Sequence, residues 1–372
     1  MSIHKTTLPI RYWDSGQTRR VCPVDENNRI LEVAYFDQVR FVGHSTHYPQ
    51  PLIWSVSDKK LTLPTIEKFM SLGRGTVYEE TMEYEMWLPV RFTQFCNLPV
   101  FYFVYNMANY YHFIYDTLPY LYHFFNERKI HPNMKLLVSP PEGEEDLYPF
   151  VWESLHLLGI TRNDVVFLNQ NTLYNKVCVG SSLTHNRLSN CPPHKKIFEI
   201  LDRMKGDSKG PEKIYISRRT WMHNNLDYVD NIGTNYTERR RCVNEDAVAE
   251  LFISHGFEEV FCENLSMKEK IAMFSNAKVV AGPIGGGMCN VIFSPPETKV
   301  ISINSPTFFD VNSRFEFSMS HTDLHHFEYT EFTEKVEESI DHKGSLSISG
   351  GLNSPWKVDI DKLSKFLDKC LT

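Results

Sequence analysis

The sequence predicts a mixed α/β protein with a mostly parallel sheet, on three observations. From Val100 onward, short apolar or β-branched runs alternate with helical stretches, the pattern of β-α-β units. The interval Lys278–Ile303, KVVAGPIGGGMCNVIFSPPETKVISI, shows that order in its tightest form. In it, a β-branched pair (Val279, Val280) meets glycines at 282, 285, 286 and 287, then a short helical segment, Pro295-Pro296 and the run Val300–Ile303. Third, the polar, glycine- and charge-rich stretch Met204–Glu212 interrupts the alternation as a linker does, so domains are expected at 1–207 and 208–372.

Composition bounds the function. The chain has 372 residues, 42% hydrophobic and 23% charged, enough for two domains with a substantial core. A net charge of −7 argues against a general polyanion binder, so no nucleic acid is expected as partner. The opening MSIHKTTLPIRYWDSG has no apolar stretch of signal-peptide length, and no run of about 18 apolar residues predicts a membrane span. Peripheral membrane association is left open. The eight cysteines are scattered with no CxxC pair, which suits reduced thiols in a cytosolic setting.

Residues 1–100 read as short extended runs such as Ile30–Phe36 and Val39–Val42 and carry no evident chemistry. Phe101–Tyr105 reads as a strand, and Tyr110–Arg128 as a largely buried helix with Pro119 at a kink or join. Lys135–Val138 is the next strand, Tyr148–Leu158 a helix, and Asp164–Phe167 and Lys176–Val179 further strands. The second domain opens with the strand Lys213–Ser217. Asn244 caps a helix that Gly256 ends, and Phe257–Cys262 is a strand. Ser266-Met267-Lys268-Glu269 is a capping box opening a helix with Met267, Ile271 and Phe274 on one face. The tail Asp359–Leu371 reads as an amphipathic helix packing back across the two domains. The second domain is thus a Rossmann-like half-sheet.

In such sheets ligands bind outside the C-terminal strand ends. Arg218 and Arg219, Glu263, and the glycines Gly282, Gly285, Gly286 and Gly287 all fall there. Glycines let an anion approach the backbone, a helix start supplies N–H groups, and arginine offers a bidentate fork. A tight turn needing small residues is the competing account of the glycines, and a solvated carboxylate that of Glu263, which otherwise accepts from ribose hydroxyls. GxGxxG and GxxxxGK[ST] are both absent, so neither a dinucleotide site nor a nucleoside triphosphatase is expected.

In the first domain, NYYHFIYD carries Asn109, His112 and Asp116. His112 and Asp116 share a helix face at four residues apart. A histidine backed by a carboxylate suits a general base near neutral pH, and a satisfied core pair is the alternative. Zinc would need a third ligand, and none is fixed by spacing, though His321, Asp323, His325 and His326 cluster in sequence. Asp359–Asp361, a literal D-x-D, starts the tail helix and is read as helix-terminal charge. No metal site is expected.

Five motifs in series then resemble glycosyltransferase family 61. They are N-x-x-H-x-x-x-D (Asn109, His112, Asp116), YISRR (Tyr215–Arg219), RRxxNE (Arg240, Arg241, Asn244, Glu245), LSxxEKIxxFSxAxVV, and GPxGxGxxN (Gly282–Asn290). They cover roughly residues 100–125 and 210–305. The resemblance implies a GT-B fold, two Rossmann-like domains facing a cleft, the C-terminal helix crossing back to the first. It implies inverting transfer from a UDP-sugar, such as UDP-Xyl, UDP-GlcNAc or UDP-GalNAc, to a hydroxyl of a glycan acceptor, in surface polysaccharide or glycoprotein glycan synthesis. No cofactor or metal is required beyond the UDP-sugar. Arg218, Arg240, Gly285, Gly287 and Asn290 are implied in the nucleotide-phosphate site, His112 and Asp116 as catalytic, and Asn109 and Tyr111 on the acceptor side. The family usually reads GPHGAG, and here its histidine position is Ile284. Lys299, Arg219 or Arg241 is the expected substitute. The alternative is a nucleotide-sugar-binding protein with impaired catalysis. With no membrane anchor, the expected setting is the cytoplasm of a bacterium, or of a host cell for a viral protein.

Overall fold

A computed structural model describes residues 17–23, 25, 30–42, 52–55, 60–61, 92–103, 107–141, 143–184, 193–206, 210–219, 242–303, 305, 316, 318–327, 333–335, 338–340, 346–348 and 355–372. The chain divides into two units. The first comprises Met1–Met107, His112–Leu147 and Gly159–Ile200, and the second Ala108–Tyr111, Tyr148–Leu158 and Leu201–Thr372. The division near residue 200 is accompanied by two short excursions that no composition shift announces.

In the first unit a sheet is formed by β1 (Gln17–Arg20), β2 (Glu32–Phe36), β3 (Val100–Tyr102), β4 (Lys135–Val138), β5 (Val165–Phe167) and β6 (Val177–Gly180). Their order is β1-β2-β6-β3-β4-β5. The β6-β3, β3-β4 and β4-β5 pairs are parallel, whereas β1 and β2 add antiparallel edges. The sheet is therefore mixed rather than uniformly parallel. Residues Val33–Phe36, Val100–Tyr102 and Leu136–Val138 are all buried, the near-continuous apolar reading of strands covered on both faces. Helix α1 (Leu121–Ile130) packs on this sheet. Its buried Glu127 accepts from the Tyr35 hydroxyl at 2.8 Å and pairs with Arg19.

In the second unit α2 (Pro149–Leu157) packs on a later helix, α5, described below. Beyond α3 (Ile197–Met204), the chain forms β7 (Lys213–Ile216), α4 (Glu245–Ser254), β8 (Glu258–Val260), α5 (Met267–Phe274), β9 (Val279–Pro283), β10 (Lys299–Ile303) and β11 (Asp323–Phe327). All five strands are parallel, in the order β8-β7-β9-β10-β11. The expected strand–helix alternation is present from β7 to β10, with strand bounds within about two positions, and β11 adds a fifth strand beyond it. Gly256, at φ +81°, ends α4 in the left-handed region. The Ser266–Glu269 capping box opens α5 with both reciprocal bonds present. Glu153 on α2 also accepts the Met267 N–H at 2.7 Å, tying α2 to the start of α5.

Two expectations change. Asn244 precedes α4 but does not cap it. Its side chain instead donates to the Val358 carbonyl at 2.8 Å and accepts the Val358 N–H at 3.0 Å. The tail helix α6 (Ile360–Leu371) is capped by Asp359, whose side chain accepts the Lys362 N–H at 3.1 Å. Its buried Leu363, Leu367 and Cys370 belong to the core of the second unit with Tyr215, Phe252, Ile301 and Trp356, in place of the expected return to the first domain. An apolar stripe finds the nearest apolar sheet face. Among the described residues, no helix is long and apolar enough to cross a membrane.

Candidate functional site

The strand order of the second unit names its own binding position. The chain steps from β7 outward to β8, then crosses back to β9 on the other side of β7. The reversal between β7 and β9 is a topological switch point, where diverging connections leave a crevice at the carboxyl ends. Arg218 follows β7 and the glycine loop follows β9 at that crevice.

The glycines divide by role. Gly282 has φ +158°, and a Cβ there would lie 2.8 Å from the Ile216 carbonyl oxygen. At Gly287 a Cβ would lie 2.9 Å from Ile216 Cγ2 and 3.6 Å from Cys262 Sγ. Both are required by the close approach of β9 and its following turn to β7. At Gly286 a Cβ would meet nothing within 4 Å, and at Gly285 only Arg218 Nη1 at 3.9 Å. The open backbone is thus Gly285–Gly286, beside a guanidinium. The helical segment that follows is a 3-10 helix, Gly286–Phe293, rather than an α-helix.

Asn290 is fully buried. Its Oδ1 accepts the Tyr110 hydroxyl at 2.5 Å, and its Nδ2 donates to the Gly287 carbonyl at 2.9 Å. Both ends of the amide hold the glycine loop in place. Ile284 extends the β9 ladder, donating its N–H to the Ile303 carbonyl at 3.2 Å, and its side chain is 3% exposed. Position 284 is a core position in this chain.

The arginines also separate. Arg219 is clamped, its Nε and Nη2 bonding Glu259 at 2.6 and 2.7 Å and its Nη1 bonding Asp246 at 2.8 Å. Three of its five N–H donors are held by these two carboxylates, which makes it a poor substitute for a histidine at position 284. Lys299 begins β10, at the sheet edge opposite the crevice, and donates to the Cys370 carbonyl. It is excluded by position. Arg240 and Arg241 lie outside the described residues.

Arg218 is held from behind by Glu245 in the first turn of α4. This carboxylate, 4% exposed, accepts the Arg218 N–H at 2.6 Å and the Tyr215 hydroxyl at 3.4 Å. Burial pushes its pKa from 4.5 up to about 7, while the Arg218 N–H and charge pull it down. The folded chain therefore keeps a proton that the unfolded chain releases, and stability falls as pH rises from about 4.5 toward 7. Glu245→Gln removes this term while keeping an acceptor. The melting temperature of the parent should fall relative to that of the variant between pH 5 and pH 8. A constant difference would refute it.

Glu263 sits on the 3-10 turn Cys262–Asn264 after β8. Burial raises its carboxyl, whereas Arg218 and Lys270 lower it. That common influence places it in the field of both cations. Among the described residues, no group of three or more His, Cys, Asp or Glu is arranged to hold a metal ion. His325 pairs with Asp323 at 3.0 Å and His326 with Glu316 at 3.0 Å.

The first unit carries the ionisable pair. The expected helix from Tyr110 to Arg128 is segmented into a π-turn at His112–Thr117, a 3-10 turn at Leu118–Tyr120 containing Pro119, and α1. Pro119 lacks the N–H an α-helix would use there, and π-turns of this kind recur at functional sites. His112 Nδ1 lies 2.6 Å from Asp116 Oδ2, and Thr184 Oγ1 donates to Asp116 Oδ1 at 3.1 Å. Asp116 is 1% exposed and His112 24%. A carboxylate offers only acceptors, so in the neutral imidazole Nδ1 carries the proton and Nε2 is the basic nitrogen. Asn109 is half-buried and Tyr111 buried, and both group with the second unit.

Thr184 was not legible from the sequence, being 68 residues from Asp116. Glu245 was visible only as a motif letter. Lys270, by contrast, left a signal: a lysine at the i+3 position of the stripe formed by Met267, Ile271 and Phe274.

No curated protein matches the chain. The family model described as Glycosyltransferase 61 matches residues 110–301, more than half of the chain, a span that holds His112, Asp116, Arg218 and the glycine loop and begins just after Asn109.

Proposed function

The chain belongs to glycosyltransferase family 61 and is therefore a glycosyltransferase, and from that premise we propose that it moves a sugar from a UDP-linked donor to a hydroxyl of a glycan acceptor, with inversion and without an essential metal ion. The two units would be the halves of a GT-B enzyme. The observation that carries this proposal is the Asp116–His112 pair, which offers Nε2 as a base while Asp116 is fully engaged in orienting it.

The acceptor oxygen attacks C1 of the sugar from the face opposite the nucleotide. Its proton passes to His112 Nε2, the C1–O bond to the β-phosphate breaks, and UDP departs with the electron pair. The departing diphosphate is stabilised by Arg218 and by the open backbone at Gly285–Gly286, with Glu263, which lies in the field of Arg218, accepting from ribose hydroxyls. Asn109 and Tyr111 stand next to the base in sequence and contribute to acceptor binding. Free thiols at the seven described cysteines fit action in a reducing cytoplasm, on surface polysaccharide or glycoprotein glycans.

The purified chain should bind UDP and turn over at least one of UDP-Xyl, UDP-GlcNAc and UDP-GalNAc in the presence of EDTA, read as UDP release. Activity restored only by a divalent ion would overturn the metal-independent proposal. UDP binding with no transfer or hydrolysis from any donor would favour the nucleotide-sugar-binding protein instead.

A further inference from the structure

Helix α5 turns four residues inward: Met267, Lys270, Ile271 and Phe274. Three are apolar and one is an ammonium. Lys270 is 2% exposed, and burial lowers its pKa against the opposing influence of Cys262, Glu153, Cys289 and Glu263. Its close contact is the face of the Tyr110 ring, with Nζ 4.5 Å from the centroid. Among the described residues its three N–H groups make no hydrogen bond and no ion pair within 4.0 Å, and Nζ itself is not among the polar atoms sealed away without a partner, so its donors open toward solvent. A buried ammonium with unused donors is costly unless an anion completes it.

The surroundings say where that anion comes from. Tyr110, under the ammonium, donates to Asn290, which in turn holds the Gly287 carbonyl. Cys262, which shares the field of Lys270, has its sulfur 3.6 Å from the Cβ position of Gly287. Glu263 senses both Lys270 and Arg218. Glu153 already accepts the Met267 N–H. The ammonium thus stands among groups at the carboxyl ends of β8 and β9, the same crevice that Arg218 borders.

We propose that Lys270 is a ligand-binding residue of the glycine-loop site, donating to an oxygen of a bound diphosphate and supplying positive charge that the loop, with Ile284, does not. This rests on the donor-nucleotide reading above. A merely structural role, as distant counter-charge to Glu263, predicts a different set of results.

The test compares the parent with Lys270→Met, which keeps chain length and removes the charge, by calorimetric titration with UDP, inorganic pyrophosphate and uridine. UDP and pyrophosphate should bind about 10- to 100-fold more weakly to the variant, as expected for a lost charge-assisted hydrogen bond. Uridine, lacking phosphate, should bind equally, and the variant should melt at or above the parent temperature because an unpaired buried charge is gone. Equal UDP affinity overturns the assignment of Lys270 and leaves the donor reading standing. An equal loss for uridine marks a structural role and also overturns it. Lys270-dependent binding of pyrophosphate with no binding of UDP supports Lys270 and overturns the uridine-nucleotide reading. A parent that binds neither overturns both. If Lys270→Met does not fold, Lys270→Gln, neutral but polar, is read by the same criteria.

Discussion

His112→Gln lowers turnover by about 10²- to 10⁴-fold and leaves UDP affinity unchanged. This is the scale on which a positioned base assists proton removal from a hydroxyl. Glutamine occupies a similar volume and can still bond Asp116, so the π-turn at 112–117 is retained and the loss isolates the imidazole lone pair. Asp116→Asn separates orientation from basicity. An amide at 116 presents a donor where Nδ1 of His112 needs an acceptor, so the ring turns or changes tautomer, and Nε2 no longer holds the lone pair toward the acceptor. Turnover falls again with UDP affinity preserved. Thr184→Val, which removes the second donor to Asp116, should show a smaller loss in the same direction. Steady-state UDP release from the best donor, paired with UDP titration of each variant, measures all three. Full turnover in both His112→Gln and Asp116→Asn would remove this pair from the mechanism and return it to the role of a satisfied buried network.

Which parts of this architecture were legible follows from the range of the interactions involved. Periodicity and caps are local, so β7 to β10, the α5 capping box and the tail helix could be read directly. The switch point followed from them once the strands were ordered. Asn244 misled because an asparagine before a helix has two ways to spend its amide. It is used on the distant backbone of Val358, 114 residues along the chain. The glycines divide in a related way. Their spacing announces a phosphate loop, yet Gly282 and Gly287 are small because Ile216 is close, a fact held by packing alone. Asp116 and His112 were recognisable four residues apart, but the second support of the carboxylate, Thr184, enters from the end of another strand. The mixed edge of the first sheet was unreadable for the same reason, since β2 pairs antiparallel with the distant β6 and β1 in turn pairs with β2.

Arg218→Met should reduce kcat/KM by about 10²- to 10³-fold, the loss found when one preorganised donor to a developing anion is removed. The expectation rests on how the residue is held. Its N–H is fixed by the buried Glu245, and its guanidinium stands beside the unoccupied face of Gly285. A charge so placed requires little reorganisation when the diphosphate leaves. Methionine preserves the apolar stem, so the effect reports charge and donors rather than packing. UDP affinity should fall with it and become less sensitive to added salt, because a screened ionic contribution has been deleted. Arg219→Met provides the contrast. That neighbour is spent on Glu259 and Asp246, so its loss should lower the melting temperature while the folded fraction retains UDP affinity. If Arg219→Met weakens UDP binding as much as Arg218→Met does, the fork that YISRR presents acts as a unit, and the separation drawn between the two arginines fails. If Arg218→Met changes neither affinity nor salt dependence, the diphosphate does not lie at the crevice between β7 and β9.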